Sequence, residues 1–117
     1  MEAPQAAVLL RIYTEEGKMN HHRPLYEDIV MKAREAGLAG ATVLRGPMGY
    51  GLHGKVHSAK ILDLSAKLPL VIEIVDAEEK IRGFLAVLES MAGLGLVTLE
   101  KVEVLHYGGR QHHSPLP

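Results

Sequence analysis

The segment LPLVIEIVDAEEKIRGFLAVLESM, residues 68–91, contains two successive periodicities that decide the fold. Apolar and β-branched residues dominate its first nine positions, which predicts a strand that tolerates Pro69 because the proline stands at its start. After Asp76 the spacing becomes that of a helix, and we expect Asp76 and Glu79 to form a capping box at its first turn. The apolar stripe of this helix consists of Ile81, Phe84, Leu85, Leu88 and Met91.

The N-terminal part of the chain has the same succession of a strand and a helix. Side chains in AAVLLRIYT, residues 6–14, alternate as a strand requires. After a polar loop, RPLYEDIVMKAREAGLAG, residues 23–40, predicts an amphipathic helix with Pro24 at its first position and Gly37 at its end. The inner face of this helix is predicted to consist of Leu25, Ile29, Ala33 and Ala36.

Two further strands complete the pattern. ATVLRG, residues 41–46, leads into a long loop of residues 46–66, and LVTLEKVEVLHY, residues 96–107, follows the second helix. The apolar phase changes within this last strand, which predicts a bulge near Glu100 and Lys101. The order β-α-β-β-α-β is typical of the ferredoxin-like α+β fold, in which two helices cover one face of a four-stranded antiparallel sheet.

The sheet face away from the helices is also predicted to be apolar. Its apolar residues are Leu9, Val71, Val75 and Leu105. Because large apolar faces rarely stay exposed, we expect the chain to form an oligomer through this face. We assign residues 1–108 to one domain and residues 109–117 to a flexible C-terminal tail.

The composition excludes several classes of function. The chain has 13 basic and 14 acidic residues, so it lacks the basic surplus typical of nucleic-acid-binding proteins, and we expect no nucleic-acid partner. It contains no cysteine, which excludes disulfides, a thiolate nucleophile and cysteine-ligated metals. We find no membrane-length apolar run and no basic leader, and therefore expect a cytoplasmic protein. Because hydrolase and metalloprotease motifs are also missing, we expect no enzymatic activity.

The stretch LRGPMGYGLHGKVHS, residues 44–58, has glycines spaced as G-x-G-x-x-G. It follows the second strand rather than the first and precedes a weak helix candidate, so a dinucleotide-binding fingerprint is a poor match. A glycine-rich hairpin loop is one interpretation. The other is a loop whose backbone amides approach an anion, with charge supplied by Arg45, Lys55 and Lys60.

Two histidines in this stretch allow a metal interpretation. His53 and His57 are four residues apart, and a helical turn would place both on one face to bind zinc or copper. A third ligand is not evident from the spacing, and solvated histidines are the alternative.

Five strings of the sequence together resemble one known family. They are RPLYEDIV, GLAGATVLRGPMGYG, HGKVHSAKILDLSAKLPLVIEIVD, EEKI and GLVTLEKVEV. In this order, over residues 7–107, they are similar to the PII-like domain-of-unknown-function family 190, relatives of the nitrogen-regulatory PII signalling proteins. The resemblance implies a ferredoxin-like homotrimer in which the long loop corresponds to the PII T-loop. It also implies a small-molecule effector, an adenine nucleotide bound in the clefts between subunits, and no required cofactor.

The resemblance also implies which residues bind this ligand. At the base of the T-loop these would be Arg45, Gly46, Gly49, Tyr50 and Gly51, and in the loop before the last strand Gly93, Leu94, Gly95 and Leu96. The second loop contains no cation before Lys101, so we expect AMP or another small ligand rather than ATP. A membrane channel or transporter is the implied partner, and a metal-binding trimer resembling copper-tolerance proteins, using His53 and His57, is the alternative.

Overall fold

A computed structural model describes residues 4–59 and 67–108, so the predicted tail of residues 109–117 lies outside the described residues. The strands are β1 Gln5–Glu15, β2 Met19–Asn20, β3 Arg23–Pro24, β4 Thr42–Arg45, β5 Met48–Gly49, β6 His57–Ser58, β7 Pro69–Asp76 and β8 Val97–Val104. The helices are α1 Leu25–Glu35 and α2 Glu78–Glu89. Neither helix is long and apolar enough to cross a membrane.

The main sheet has four antiparallel strands in the order β4-β7-β1-β8. The two central strands are the third and first long strands of the chain, which is the ferredoxin-like order, so the predicted fold is confirmed. β1 pairs with β7 from Val8 opposite Asp76 to Glu15 opposite Pro69. The ends of β1 and β4 and the beginnings of β7 and β8 therefore lie at the same end of the sheet.

The core lies between the sheet and the two helices. The alternation predicted for β1 and β7 is confirmed, because one side chain in two is fully buried against the helices. The largest fully buried apolar side chains of the core, from these strands and from both helices, are Leu10, Ile12, Leu25, Ile29, Ile72, Ile74 and Ile81. Ala36 is an exception among the predicted core residues: it is the exposed C-cap of α1, where Gly37 takes a positive φ of 77° and ends the helix.

The predicted bulge near Glu100 and Lys101 is wrong. β8 pairs with β1 without interruption from Val97 to Val104. The apolar phase changes because the two ends of β8 bury opposite faces of the strand. Leu99 packs towards the helices, whereas Val102 lies on the other face of the sheet, together with Leu9. A regular strand thus accounts for the pattern.

The predicted capping box at Asp76 is also wrong. α2 begins after Ala77, its N-cap residue, and no side chain caps it. Asp76 is fully buried, and its carboxylate accepts hydrogen bonds from the backbone N–H groups of Ala39 at 2.8 Å and Ala77 at 2.6 Å. Pro24 is likewise the N-cap of α1 rather than its first helical residue.

The four two-residue strands, β2, β3, β5 and β6, were not predicted from the sequence. β2 lies in the segment expected to be a polar loop and pairs with β3, which covers the first two residues of the segment predicted to be a helix. His21 takes a positive φ of 59° at their turn. β5 and β6 pair within the long loop. Strands of two residues carry no periodicity, so pattern analysis does not detect them.

The sheet face opposite the helices, which we call the open face, combines apolar residues with a central ion-pair cluster. Leu9, Val71 and Val75 lie on it and are half-buried, as predicted. At its centre Arg11 contacts Glu73 at 3.0 Å and Glu100 at 2.8 Å. The hydrogen bond with Glu73 is the main cause that raises the pKa of Arg11, so this cation stays charged.

Candidate ligand site at the base of the long loop

The long loop leaves the sheet as a narrow ribbon. We call residues 46–59 the arm, and the rest of the predicted loop, residues 60–66, lies outside the described residues. Met48 pairs with Ser58 and Gly49 with His57 at the base of the arm. Farther out, the N–H of Gly54, at a φ of 73°, donates a hydrogen bond to the carbonyl of Gly51. The arm is therefore a hairpin attached at the end of β4.

Two of the predicted glycines permit the arm to approach the start of β7. The N–H of Gly46 donates to the carbonyl of Pro69 at 2.8 Å. A Cβ atom on either Gly46 or Gly49 would lie only 3.2 Å from Cγ of Pro69. Close packing at the root of the arm thus explains these two glycines, whereas a side chain at Gly51 would point into open space.

Arg45 is exposed and held by an acidic residue that the sequence did not single out. Its Nη2 lies 3.1 Å from Oε2 of Glu16, immediately after the end of β1. The second oxygen of Glu16 accepts a hydrogen bond from the N–H of Leu68 at 2.9 Å. The N–H of Glu16 in turn donates to the carbonyl of Leu68. Glu16 therefore joins the residue before the arm to the residue that precedes β7.

Tyr50 lies beyond the paired part of the arm and is 74% exposed. Met48, Leu52 and Val56 on the same hairpin are exposed as well. Residues 46–59 contain no acidic residue, but they include Lys55 and two histidines. The outer part of the arm is thus an apolar and basic surface.

The second predicted segment, residues 93–96, packs against the end of β1. Gly93 has a φ of 84°, and a Cβ atom on Gly95 would lie 3.0 Å from the carbonyl oxygen of Tyr13. The N–H of Tyr13 donates to the carbonyl of Leu96 at 2.8 Å. Leu94 packs against the core. The close approach of two backbones therefore favours glycine at position 95.

Asn20 anchors this second loop, and sequence reasoning missed it. Its Oδ1 accepts from the N–H of Ala92 at 3.2 Å, and its Nδ2 donates to Asp28 at 2.6 Å. The Cβ atom of Lys18, the residue before β2, would lie 3.9 Å from a Cβ atom on Gly93. The side chain of Lys18 therefore begins beside the second loop, where the spacing in the sequence indicated no cation before Lys101. The only available signal was the short polar loop that supplies both residues.

The histidines of the arm do not share a helical turn, so the predicted arrangement for metal binding is wrong. His57 lies in β6, and its Nε2 is 2.7 Å from Oε2 of Glu15. His53 is exposed in the turn of the arm. Within residues 4–59 and 67–108, no group of three histidine, aspartate or glutamate side chains is placed to hold a metal ion.

The two predicted segments share one end of the sheet but lie at its opposite edges. The arm follows β4 and the loop of residues 93–96 precedes β8, and these are the two outer strands of the sheet. With strands about 4.8 Å apart, the outer strands are separated by about 14 Å. Two open grooves of about 700 and 520 Å³ lie near the other end, beside Ala6 and Ala39 respectively, and neither is lined by the predicted residues.

Comparisons with known proteins agree on one family and one fold. The model of the DUF190 family (Uncharacterized ACR, COG1993) matches residues 7–104. A UPF0166 protein of Aquifex aeolicus (strain VF5) is 43% identical over 98 residues, which cover 84% of this chain and 92% of that protein.

Two solved structures share the fold. The putative PII-like signalling protein TTHA0516 of Thermus thermophilus has a TM-score of 0.62 at 19% identity, covering 88% of this chain and 93% of that one. CPII of Thiomonas intermedia K12, a nitrogen regulatory PII-like protein bound to ADP, AMP and bicarbonate, has a TM-score of 0.56 at 21% identity, covering 87% and 91%. At these identities the likeness is one of fold.

Proposed function

The chain belongs to the DUF190 family, and on that premise we propose that it is a PII-like regulatory protein that binds an adenine nucleotide such as AMP and reports it through the arm. The observation that carries this proposal is the gathering of both candidate segments at one end of the sheet. Each segment is tied to the end of β1, the arm through Glu16 and the second loop through Tyr13. A ligand bound there is well placed to alter the attachment of the arm.

We propose that the complete site forms between copies of the chain in a homotrimer. The base of the arm and residues 93–96 lie at opposite edges of the sheet, and the grooves described above do not join them. An open face with half-buried Leu9, Val71 and Val75 gains from burial against another copy. Association through this face would bring the arm base of one copy beside residues 93–96 of its neighbour.

AMP suits the charge of this site better than ATP. Arg45 supplies a cation at the first segment and the side chain of Lys18 begins beside the second, but Glu16 pairs with Arg45 and Glu15 contacts His57. Each charge-assisted contact to phosphate contributes roughly 1.5–3 kcal/mol, so a site with few free cations favours the ligand with fewer phosphates. The presence of AMP in the CPII structure supports adenine nucleotides as the class to test.

The proposed activity is regulatory rather than catalytic. A ligand that binds one arrangement of the arm more tightly raises the population of that arrangement. The exposed side chains of the arm indicate what kind of protein surface it would bind. Exposed Tyr50 and Leu52 next to Lys55, with no acidic residue in the arm, fit a protein surface that is apolar and acidic. Following the family resemblance, we propose a membrane channel or transporter as that partner.

Isothermal titration of the purified full chain with AMP, ADP, ATP and cyclic AMP tests the proposal, with zinc in a parallel titration. We expect saturable binding of AMP, weakened about tenfold or more by Arg45→Ala through loss of one charged contact. Arg34→Ala is the matched control, because Arg34 is an exposed cation in the last turn of α1, away from the arm. Failure of all four nucleotides to bind would overturn the proposal.

A further inference from the structure

Two consecutive carboxylates at the end of β1 hold both sides of the arm. We propose that Glu15 and Glu16 form a latch that fixes the arm, and that an anionic group of the ligand opens it by taking Arg45 from Glu16. The latch itself rests only on contacts within the chain. Its opening rests on the function proposed above, because it requires an anion at Arg45.

Glu16 closes the root of the long loop. One of its oxygens contacts Nη2 of Arg45, the residue that precedes the arm, at 3.1 Å. The other oxygen accepts a hydrogen bond from the N–H of Leu68 at 2.9 Å. The Glu16 side chain is only 23% exposed, whereas that of Arg45 is 64% exposed. The carboxylate is therefore fixed by the fold, and the guanidinium is the partner that is free to turn towards a ligand.

Glu15 holds β6, the second strand of the arm. Its Oε2 lies 2.7 Å from Nε2 of His57, and both side chains are largely shielded from water, at 27% and 14% exposure. Partial burial strengthens a hydrogen bond to a carboxylate relative to one made at the surface. Glu16 thus holds the start of the arm at Arg45, and Glu15 holds its second strand, β6, at His57.

An anion at Arg45 and the carboxylate of Glu16 compete for the same guanidinium. A phosphate within hydrogen-bond reach of Arg45 would stand a few ångströms from Glu16, where like charges repel. The ligand therefore binds better when Arg45 has left Glu16, which is the difference in affinity that coupling requires. It follows that neutralising Glu16 should strengthen AMP binding, whereas removing Arg45 should weaken it.

Hydrogen exchange of arm amides, measured by mass spectrometry on the full chain without ligand, tests the latch. We expect Glu15→Gln and Glu16→Gln each to speed exchange in residues 48–59 about threefold or more, since a charged contact becomes a neutral one. Glu78→Gln is the matched control, because Glu78 makes an ion pair with Arg82 on α2. Exchange in β7 reports whether each variant is folded. Unchanged arm exchange in both latch variants would overturn the proposal.

Titration with AMP then tests the opening of the latch. We expect Glu16→Gln to bind AMP severalfold more tightly than the unmodified chain, and AMP to speed arm exchange in the unmodified chain. If AMP binds but Glu16→Gln binds it no more tightly, the opening step is wrong. If no nucleotide binds, the proposed function fails, while the exchange experiment without ligand still decides whether the latch exists.

Discussion

The buried carboxylate of Asp76 accepts a hydrogen bond from the backbone N–H of Ala39 at 2.8 Å, which joins the end of β7 to the turn after α1. A second bond, from the N–H of Ala77, fixes the start of α2. One side chain thus positions both chain segments that cover this end of the sheet. Removing it leaves backbone donors without their partner.

We predict that Asp76→Ala lowers the free energy of unfolding by about 2–3 kcal/mol, because two hydrogen bonds to a charged acceptor are lost in a buried place. Urea denaturation followed by circular dichroism measures this change. Glu103→Ala serves as the control, because Glu103 is an exposed carboxylate of β8. Equal stability of the two variants would contradict the role assigned to Asp76.

Two glycine-to-alanine changes should shift stability in opposite directions. Gly95→Ala places a Cβ atom 3.0 Å from a backbone carbonyl and should destabilise the fold by about 1–3 kcal/mol. Gly83 lies inside α2 with open space around its Cα, so Gly83→Ala should stabilise the fold by about 0.8–1 kcal/mol. Thermal unfolding of both variants checks the prediction, and a stabilising Gly95→Ala would show that the second loop is not tightly packed.

Charge on the open face should prevent association. Val75 lies opposite Leu9 among the half-buried apolar residues of the open face, so Val75→Glu would bury an unpaired carboxylate in any assembly made through this face. We expect a trimer mass for the unmodified chain and a monomer mass for Val75→Glu in light scattering after gel filtration. Ala86→Glu, on the exposed side of α2, should leave the mass unchanged. A trimer that persists in Val75→Glu would exclude this face as the interface.

Most of the fold could be predicted from the sequence because its long elements bury one side each. β1, β7 and the two helices have clear periods, so local patterns indicated both the elements and their order. Asp76 was misassigned for a physical reason: an acidic residue before a helix is the usual sign of a cap, and only the tertiary structure brings Ala39 to it. The change of phase in β8 was misjudged because both faces of the sheet are partly apolar.

The candidate site was less predictable because its contacts join distant parts of the chain. Glu16 meets Arg45 and Leu68 from other strands of the main sheet or their flanks, and Asn20 meets Ala92 from a hairpin too short to show a period. The glycines could be singled out by spacing, but the reason for Gly46 is steric contact with Pro69. Family resemblance supplied the positions, and the structure supplies the residues that hold them.

Alkaline titration should identify Tyr26. Partial burial raises the pKa of its phenol, and the nearby Glu27 and Glu16 raise it further. Because the folded pKa lies above the unfolded one, this contribution to stability is complete below the ordinary tyrosine pKa and is lost as the pH rises through the folded value. We expect Tyr26→Phe to remove a late step from the absorbance titration at tyrosinate wavelengths and to reduce the loss of stability above about pH 10. Tyr50→Phe, at an exposed position, should leave that late step in place.

Asn20 should stabilise the second loop through its two hydrogen bonds. Its amide both accepts from Ala92 and donates to Asp28, so Asn20→Ala should cost about 1–2 kcal/mol of stability and loosen residues 93–96. Asn20→Asp separates the two roles, because a carboxylate still accepts from Ala92 but repels Asp28 across a contact of 2.6 Å. We therefore expect Asn20→Asp to be at least as unstable as Asn20→Ala in urea denaturation. If Asn20→Asp instead retained full stability, the bond to Asp28 would contribute nothing, and anchoring of the loop would rest on Ala92 alone.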